Sequence, residues 1–138
     1  MYPIRFEGHL IRSAAILTSS YVAAKILGLI DATDGSAIMA NTDKANQLEL
    51  ECRYTKGSLT SVEIKIEFSQ DGTNWVQETN KSVSAGVATL SLNEYTTTVA
   101  TGFHISLPVM ANYVKVSAKG TGTATGSSLA ILAKLGWR

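Results

Sequence analysis

Residues 62–68, VEIKIEF, alternate strictly between apolar and charged side chains. The four apolar side chains fall on one face and the three charged ones on the other, a period of two that is typical of a strand with one face in a core. The Asp71-Gly72 pair that follows has the residue types of a tight reversal. We therefore expect a second strand, carrying Trp75, to fold back on the first.

A second alternating stretch covers residues 48–54, with the sequence LELECRY. It lies before the first stretch, and a short Lys-Gly-Ser loop joins the two. If the two stretches pair as a hairpin, Arg53 lies opposite Glu63 and Glu51 lies opposite Lys65 on the solvent side. Opposite charges across an antiparallel pair stabilise it, and the same register puts the apolar residues together on the other side. The sequence therefore predicts a hairpin of these two strands.

The remainder of the chain also has the composition of strands rather than helices. Apolar, Ser and Thr residues dominate several short segments that end at polar or Gly-containing breaks, and residues 119–128 are expected to be a Gly-Thr-Ser loop. Further strands are predicted over residues 75–78, 83–92, 95–107, 112–118 and 129–135. About eight strands with little helix predict an all-β fold, a single-domain antiparallel β-sandwich or jelly roll.

The N-terminal third has weaker patterns. Residues 1–10 are expected to form an N-terminal arm or edge strand, and residues 11–138 the sandwich domain, since Pro3 is unsuited to a central strand. We expect residues 11–30 to form two short strands with a break at 18–20. Residues 31–46 have the Asp, Gly, Asn and Ser content of a long surface loop around a short apolar insert.

The charge of the chain is low and uneven. Charged residues make up only 17%, the net charge is +1, and all eleven acidic residues lie at or before Glu94. The last third is therefore mildly basic, but it lacks an Arg or Lys run with interleaved aromatic residues, so we expect no nucleic-acid partner. A weakly charged surface rich in Ser, Thr and Asn suits a subunit that works while packed against others.

Cys52 is the single cysteine, so no disulfide can form within the chain. Its place among alternating leucines predicts a small buried apolar residue rather than a nucleophile. The apolar run near the N-terminus is interrupted by Thr18, Ser19, Ser20 and Lys25. We therefore expect neither a signal peptide nor a transmembrane helix there, and no membrane partner.

No motif in the sequence predicts catalysis, a cofactor or a metal site. His9 and His104 stand far from each other and from any ligand at metal-binding spacing. The loop carboxylates Asp31, Asp34 and Asp43 lack the spacing and distal Glu of a calcium loop. No serine stands in a nucleophile motif, and the glycines of residues 120–126 lack the Lys and the following helix of a phosphate-binding loop. We expect a protein that is not an enzyme.

Two motifs resemble known families. The segment FSQDGTNW at 68–75, followed by NYVKVSAKG at 112–120 and a closing apolar strand, is similar to the C-terminal two-thirds of discoidin-like, galactose-binding-type jelly rolls. The same turn, together with YVKVSAKGTGT, resembles small β-sandwich virion proteins of tailed bacteriophages. The resemblance covers about residues 47–138 and implies that Trp75 is part of the core. The N-terminal third matches neither pattern.

From the resemblance, the expected function is that of a phage capsid decoration (cement) protein. Such a protein binds the major capsid protein and copies of itself, here expected as a trimer, on the virion surface after synthesis in the host cytoplasm. A terminal tryptophan, an N-terminal arm and a loop insert are surfaces that gain from burial against a partner. The candidate contact residues are Tyr2, Ile4, Phe6, Ile38, Met39, Trp137 and Arg138.

Two alternatives remain open from the sequence. One is a carbohydrate-binding β-sandwich module, in which an exposed aromatic side chain, such as Trp137 or Phe103, stacks on a sugar ring. The other is a tail, baseplate or head-completion subunit of the virion. The sequence does not distinguish these from a protein of the phage head.

Overall fold

The computed structural model describes residues 9–28, 37–39, 46–109 and 111–136 of the chain. This part is all-β, as the sequence predicts, and contains no helix. Its thirteen strands are β1 (His9–Ala15), β2 (Val22–Ala23), β3 (Ile26–Gly28), β4 (Ala37–Met39), β5 (Gln47–Thr55), β6 (Leu59–Ser69), β7 (Val76–Gln77), β8 (Thr79–Ser84), β9 (Val87–Leu92), β10 (Tyr95–Thr97), β11 (Phe103–Pro108), β12 (Tyr113–Gly122) and β13 (Ser128–Gly136).

Two sheets form the body of the protein. The first has four strands in the order β1-β13-β5-β11, and the second has the order β10-β6-β12-β3-β4, with β2 beside β12 and β7 beside β6. Strands β3 and β4 pair in parallel, and every other pair of neighbouring strands is antiparallel. The predicted β-sandwich is therefore confirmed.

The expected number of about eight strands is too low. The predicted segment 95–107 divides into β10 and β11, which belong to different sheets. The predicted segment 83–92 is two strands, β8 and β9, because the chain reverses at Ala85-Gly86, and β8 begins at Thr79, where a break was expected. Period-two patterns do not show where a chain of Thr, Ser and Val changes sheet.

The predicted hairpin of β5 and β6 is wrong. Strand β5 pairs with β11 and β13 in the four-stranded sheet, whereas β6 pairs with β10, β12 and β7 in the other. The loop between the two strands crosses from one layer of the sandwich to the other. Arg53 instead contacts Glu51 on its own strand at 2.7 Å, and Lys65 lies 3.5 Å from Glu67.

The core lies between the inner faces of these two sheets. The four-stranded sheet contributes side chains such as Leu48, Leu50 and Ile131, and the other sheet contributes side chains such as Ile64 and Ile66, all of them buried. Buried and more exposed residues alternate along β5, as its pattern predicts, whereas in β6 the residues from Ser61 to Ile64 are all buried, including Glu63, which was expected on the solvent side. This burial is the main favourable term in folding.

Cys52 is fully buried in this core, which confirms the prediction from its alternation with leucines. Burial, together with the nearby charge of Glu51, raises the pKa of the Cys52 thiol to about 12. A thiol that stays protonated at neutral pH is a poor nucleophile. The residue therefore acts as packing in the folded protein.

The turn after β6 reverses the chain as predicted, but Trp75 does not take its predicted place in the core. Gly72 has a φ of 76°, and the short strand β7 pairs back with β6 at Glu67 and Phe68. Trp75 is only half-buried and lies outside the core cluster, with the Lys115 Nζ 4.5 Å from the centre of its ring. The ring packs under a lysine rather than between the sheets, so the expected core position is wrong.

The N-terminal strands follow the predicted break at residues 18–20. Strand β1 precedes it, at the edge of the four-stranded sheet, and β2 and β3 follow it in the other sheet. Residues 1–8 lie outside the described part, so the N-terminal arm stays a prediction. The expected loop at 119–128 is shorter than predicted, since β12 runs on to Gly122 in register with β6.

Candidate functional site

The residues predicted to contact partners lie mostly outside the described part of the chain. This holds for Tyr2, Ile4 and Phe6 at one end and for Trp137 and Arg138 at the other. Ile38 and Met39 belong to β4, whose backbone pairs in parallel with Leu27 and Gly28 of β3, and their side chains lie outside the described part. These seven residues stay predictions.

The hairpin of β8 and β9 is a different candidate for a contact surface. Its two strands pair with each other, from Thr79 opposite Leu92 to Ser84 opposite Val87, and with no other described strand. All of its strand residues are exposed. An isolated two-stranded sheet is marginally stable in water, so this hairpin lacks the support that the body strands have.

The hairpin has one apolar face and one polar face. Cross-strand partners share a face, so Val83, Leu90 and Leu92 lie together with Thr79, Lys81 and Ala88. The three large apolar side chains are 64%, 65% and 68% exposed. The opposite face has Asn, Ser and Thr side chains, with Val87 near the tip. This alternation is typical of a strand pair whose apolar face is covered.

The hairpin carries a single charged residue, Lys81, and no acidic residue. Lys81 lies opposite Leu90, on the apolar face. Its long aliphatic stem can lie along apolar surface while the ammonium reaches water. An exposed strand pair normally carries several charges that oppose association, and this one does not.

Polar side chains hold the base of the hairpin. The Asn93 backbone N–H donates to the Glu78 carbonyl at 2.7 Å, and the Gln77 Nε2 donates to the Asn93 carbonyl at 2.8 Å. The Glu78 Oε1 accepts from the Asn93 Nδ2 at 2.9 Å and from the Tyr95 hydroxyl at 2.7 Å. Glu78 is also tied to β6, since its N–H donates to the Ile66 carbonyl at 2.8 Å. The hairpin is thus anchored to the sheet edge.

The outer face of the larger sheet is charged, in contrast to the hairpin. The Lys65 Nζ and the Lys119 Nζ lie 4.8 Å and 4.7 Å from the centre of the Tyr21 ring, a cation–π arrangement. The Tyr21 hydroxyl donates to Glu94. Burial, this hydrogen bond and the charges of Glu94 and Glu63 raise the pKa of Tyr21. The Tyr21 ring and hydroxyl thus have their partners on this face.

Glu63 is the most buried carboxylate described on this sheet, only 6% exposed. Its Oε1 accepts from the Ser61 and Thr121 hydroxyls at 2.7 Å and 2.8 Å. Its Oε2 has no hydrogen-bond partner among the described residues. Neither of the two clefts described below includes Glu63 in its lining.

Clefts among the described residues include two on the body. One, of about 300 Å³, is lined by Glu49, Glu51, Arg53, His104 and Lys134 on the outer face of the four-stranded sheet. Its charges pair within the cleft, as in the contact of Arg53 with Glu51. It has the mixed composition of an ordinary sheet surface rather than an apolar pocket with a few convergent polar groups.

The second cleft, also about 300 Å³, lies beside the Asp71 turn and Val76. Asp71 accepts hydrogen bonds from the N–H groups of Thr73 and Asn74, both at 2.8 Å, and from the Ser69 hydroxyl at 2.9 Å. These bonds hold the pKa of the Asp71 carboxyl well below its usual range. The turn satisfies its own polar groups, so its chemistry is structural.

The described residues contain no group of three or more His, Cys, Asp or Glu side chains placed to hold a metal ion. Across the same ranges, no helix long and apolar enough to cross a membrane is found.

Comparisons with known proteins do not identify the chain: no family model, no curated protein and no solved structure matches it. The hairpin must therefore be interpreted from its own chemistry. Sequence reasoning missed it, because residues 83–92 have the same alternation as a core strand. The Ala85-Gly86 dipeptide, with φ values of 51° and 78°, is the one local sign of a reversal there.

Proposed function

We propose that this protein is a non-enzymatic structural subunit of a phage virion, a decoration protein that stabilises the capsid by surface contacts. The observation that carries the proposal is the hairpin of β8 and β9, with an apolar face exposed to water and a single charge. The resemblance of residues 47–138 to small virion β-sandwich proteins supports the same role. An exposed apolar face of this kind marks a protein interaction site.

The mechanism is burial of the hairpin's apolar face, repeated on every copy of the protein in the shell. Val83, Leu90 and Leu92 are about two-thirds exposed, and complete burial of each side chain is worth about 1.5–3 kcal/mol, so a hairpin gains roughly 3–6 kcal/mol on docking. Association itself costs at least as much as the low end of this range. A single contact is therefore weak, and display of many copies on one shell makes the sum strong.

The test is binding to particles that lack the protein. Purified chain is added to such capsids, which are pelleted, and bound copies are counted against the capsid protein while the temperature of shell disruption is recorded. We expect saturable binding and a raised disruption temperature. The variant Leu92→Lys is expected to lose both, and Ser91→Lys, on the opposite face, to keep both. Absence of binding by the unaltered chain contradicts the proposal.

The same particles distinguish the head from the tail. Labelled protein is imaged on intact virions by electron microscopy. Density on the capsid surface supports the decoration role, whereas density confined to the tail or baseplate supports the other virion assignment. The candidate contacts at Trp137 and Arg138 are tested by truncation after Gly136 in the same binding assay.

A carbohydrate-binding module is a second candidate, favoured by one observation. Trp75 is half-exposed beside the polar Asp71 turn, rather than in the core. An aromatic ring next to polar loop groups is a suitable surface for a sugar. A glycan array tests this, with Trp75→Ala as the variant and Phe103→Ala as a control, since Phe103 packs against Tyr54 in the core. No glycan bound, or binding unchanged in Trp75→Ala, contradicts it.

A further inference from the structure

We propose that the apolar face of the hairpin binds the same face of the hairpin of a second copy of this chain. This face consists of Thr79, Lys81, Val83, Ala88, Leu90 and Leu92. The inference deepens the proposed function and rests on its assignment of the hairpin as a contact surface. It names a neighbouring copy as the partner of this face, so the loss of capsid binding expected of Leu92→Lys follows from the loss of contacts between copies on the shell.

The distribution of exposed apolar side chains on the described surface favours a second copy of the chain as the partner. The other large apolar side chains that are exposed lie on several different elements: Leu10 on β1, Ile16 after it, Val22 on β2, Val76 on β7 and Val99 after β10. The hairpin alone carries four such side chains of the described part, and three of them, Val83, Leu90 and Leu92, share one face. A partner surface of matching chemistry on another copy is the same hairpin, which gives a self-complementary contact.

The charge of the hairpin also permits this pairing. Strand β9 carries no charge, and the single charge of β8, on Lys81, lies beside Leu90. If β9 of one hairpin lies over β8 of the other, Val83, Leu90 and Leu92 of both copies lie between the two pairs of strands. The two lysines then lie at opposite margins, where their ammonium groups remain in water. Faces with several like charges would repel each other strongly, whereas each of these faces carries one charge, at its margin.

The contact between two hairpins also supplies the packing that each hairpin lacks by itself. Two strands alone are marginal in water, and a second pair of strands packed about 10 Å away completes a two-layer structure. The polar face, with Asn80, Ser82, Thr89 and Ser91, then remains outside in water. The alternation of the hairpin is thus the same as that of the body strands, with the second copy in place of a second sheet.

The area of the face determines how strong the contact is. Each large apolar side chain offers roughly 40–80 Å² of its remaining exposed surface, or roughly 120–240 Å² for the three. Stable interfaces bury at least about 600 Å² per partner. The free protein should therefore associate weakly and reversibly, with a dissociation constant in the high micromolar range, and more strongly where copies are held side by side on a shell.

Sedimentation of the purified full chain, without capsids, tests the inference. We expect the weight-average mass to rise with concentration towards that of a dimer, because a self-complementary contact closes with two copies. Leu90→Lys should raise the dissociation constant at least about tenfold, whereas Ser91→Lys, one residue away on the polar face, should leave it unchanged. Circular dichroism and the melting temperature show whether each variant is folded.

Cross-linking supplies a second measurement that does not depend on a destabilising charge. Cys52 is buried and unreactive in the folded protein, so a new cysteine is the one reactive thiol. Leu90→Cys should be captured as a covalent pair by a short bis-maleimide, and Ser91→Cys should not. Equal capture of both variants, or capture of Ser91→Cys alone, overturns the pairing of apolar faces.

The outcomes separate this inference from the proposed function. A chain that stays monomeric at the highest concentration, or whose association is the same in Leu90→Lys, overturns the inference even if it binds capsids. A chain that associates through Leu90 but does not bind capsids supports the inference and overturns the decoration role.

Discussion

Replacement of Glu78 by alanine should loosen the hairpin of β8 and β9 while leaving the sandwich folded. The Glu78 carboxylate accepts hydrogen bonds from the Asn93 side chain and the Tyr95 hydroxyl, and both partners stand where the second hairpin strand returns to the sheet. Without the carboxylate, these two donors lose the group that fixes the distance between the two ends of the hairpin. The backbone bonds of residues 78 and 93 remain.

The magnitude follows from the two hydrogen bonds. A hydrogen bond to a charged group contributes about 1.5–3 kcal/mol when the site is dry. Glu78 is half-buried, so water replaces part of each bond, and about 1 kcal/mol each is a fair figure. The total of about 2 kcal/mol corresponds to an increase of about 30-fold in the opening equilibrium of the hairpin. Among the body strands, β10 contributes the Tyr95 hydroxyl, whereas β5, β6 and β13 contribute no side chain to these two bonds and should keep their stability.

Hydrogen exchange of the backbone amides measures this directly. Protection of peptides covering residues 79–92 should fall by about 30-fold in Glu78→Ala, while protection of β5, β6 and β13 stays the same. Asn80→Ala is the matched control, because it removes only an exposed bond to the Asn93 side chain, 3.0 Å long, and should change protection little. Unchanged hairpin protection, or an equal loss throughout the sandwich, would refute the reasoning.

Three further changes test other parts of the structure. Ala85→Asn should increase hairpin protection severalfold, because Ala85 has a φ of 51°, where alanine costs about 1–2 kcal/mol and Asn-Gly is the preferred turn. Leu50→Ala should lower the free energy of unfolding by about 2–5 kcal/mol in urea titration, because Leu50 is fully buried. Asp71→Asn should lower the melting temperature at neutral pH: the folded-state pKa of Asp71 is depressed, so its contribution is present above the unfolded pKa of 3.8 and lost as pH falls below it. The difference between Asp71→Asn and the unaltered chain should therefore disappear in strong acid, and a constant difference would contradict this.

The fold class followed from local patterns, and the pairing of strands did not. Strands β5 and β6 alternate clearly, and each was predicted close to its true bounds. Their charges fit a hairpin because Glu51 and Arg53, like Lys65 and Glu67, complement each other within a strand as well as across strands. Charges that can pair either within a strand or between strands do not distinguish a hairpin from a connection that crosses between sheets. The distinction comes from the long-range partners β11, β12 and β13.

The candidate contact surface was invisible to the same reasoning for a related reason. Val83, Leu90 and Leu92 have the spacing of core residues, and exposure is a property of the whole fold rather than of the segment. Trp75 shows the reverse error, since a large aromatic residue after a tight turn was expected in the core and lies under Lys115 instead. Local patterns predict which face of a strand is apolar. What covers that face depends on the other strands, or on another molecule.

The composition of the hairpin supports the proposal that another protein covers its apolar face. A hairpin that only had to stay soluble would gain from charges on both faces, as on the outer faces of the body sheets, where Lys65 and Lys115 lie beside Glu67. The hairpin has the opposite arrangement, with the apolar side chains on one face and Asn, Ser and Thr on the other. Its base is held by four side chains, those of Gln77, Glu78, Asn93 and Tyr95, so the apolar face is kept available away from the core. A hairpin whose base is fixed to the sheet should lose less conformational entropy on binding than an unattached arm, which lowers the cost of each contact.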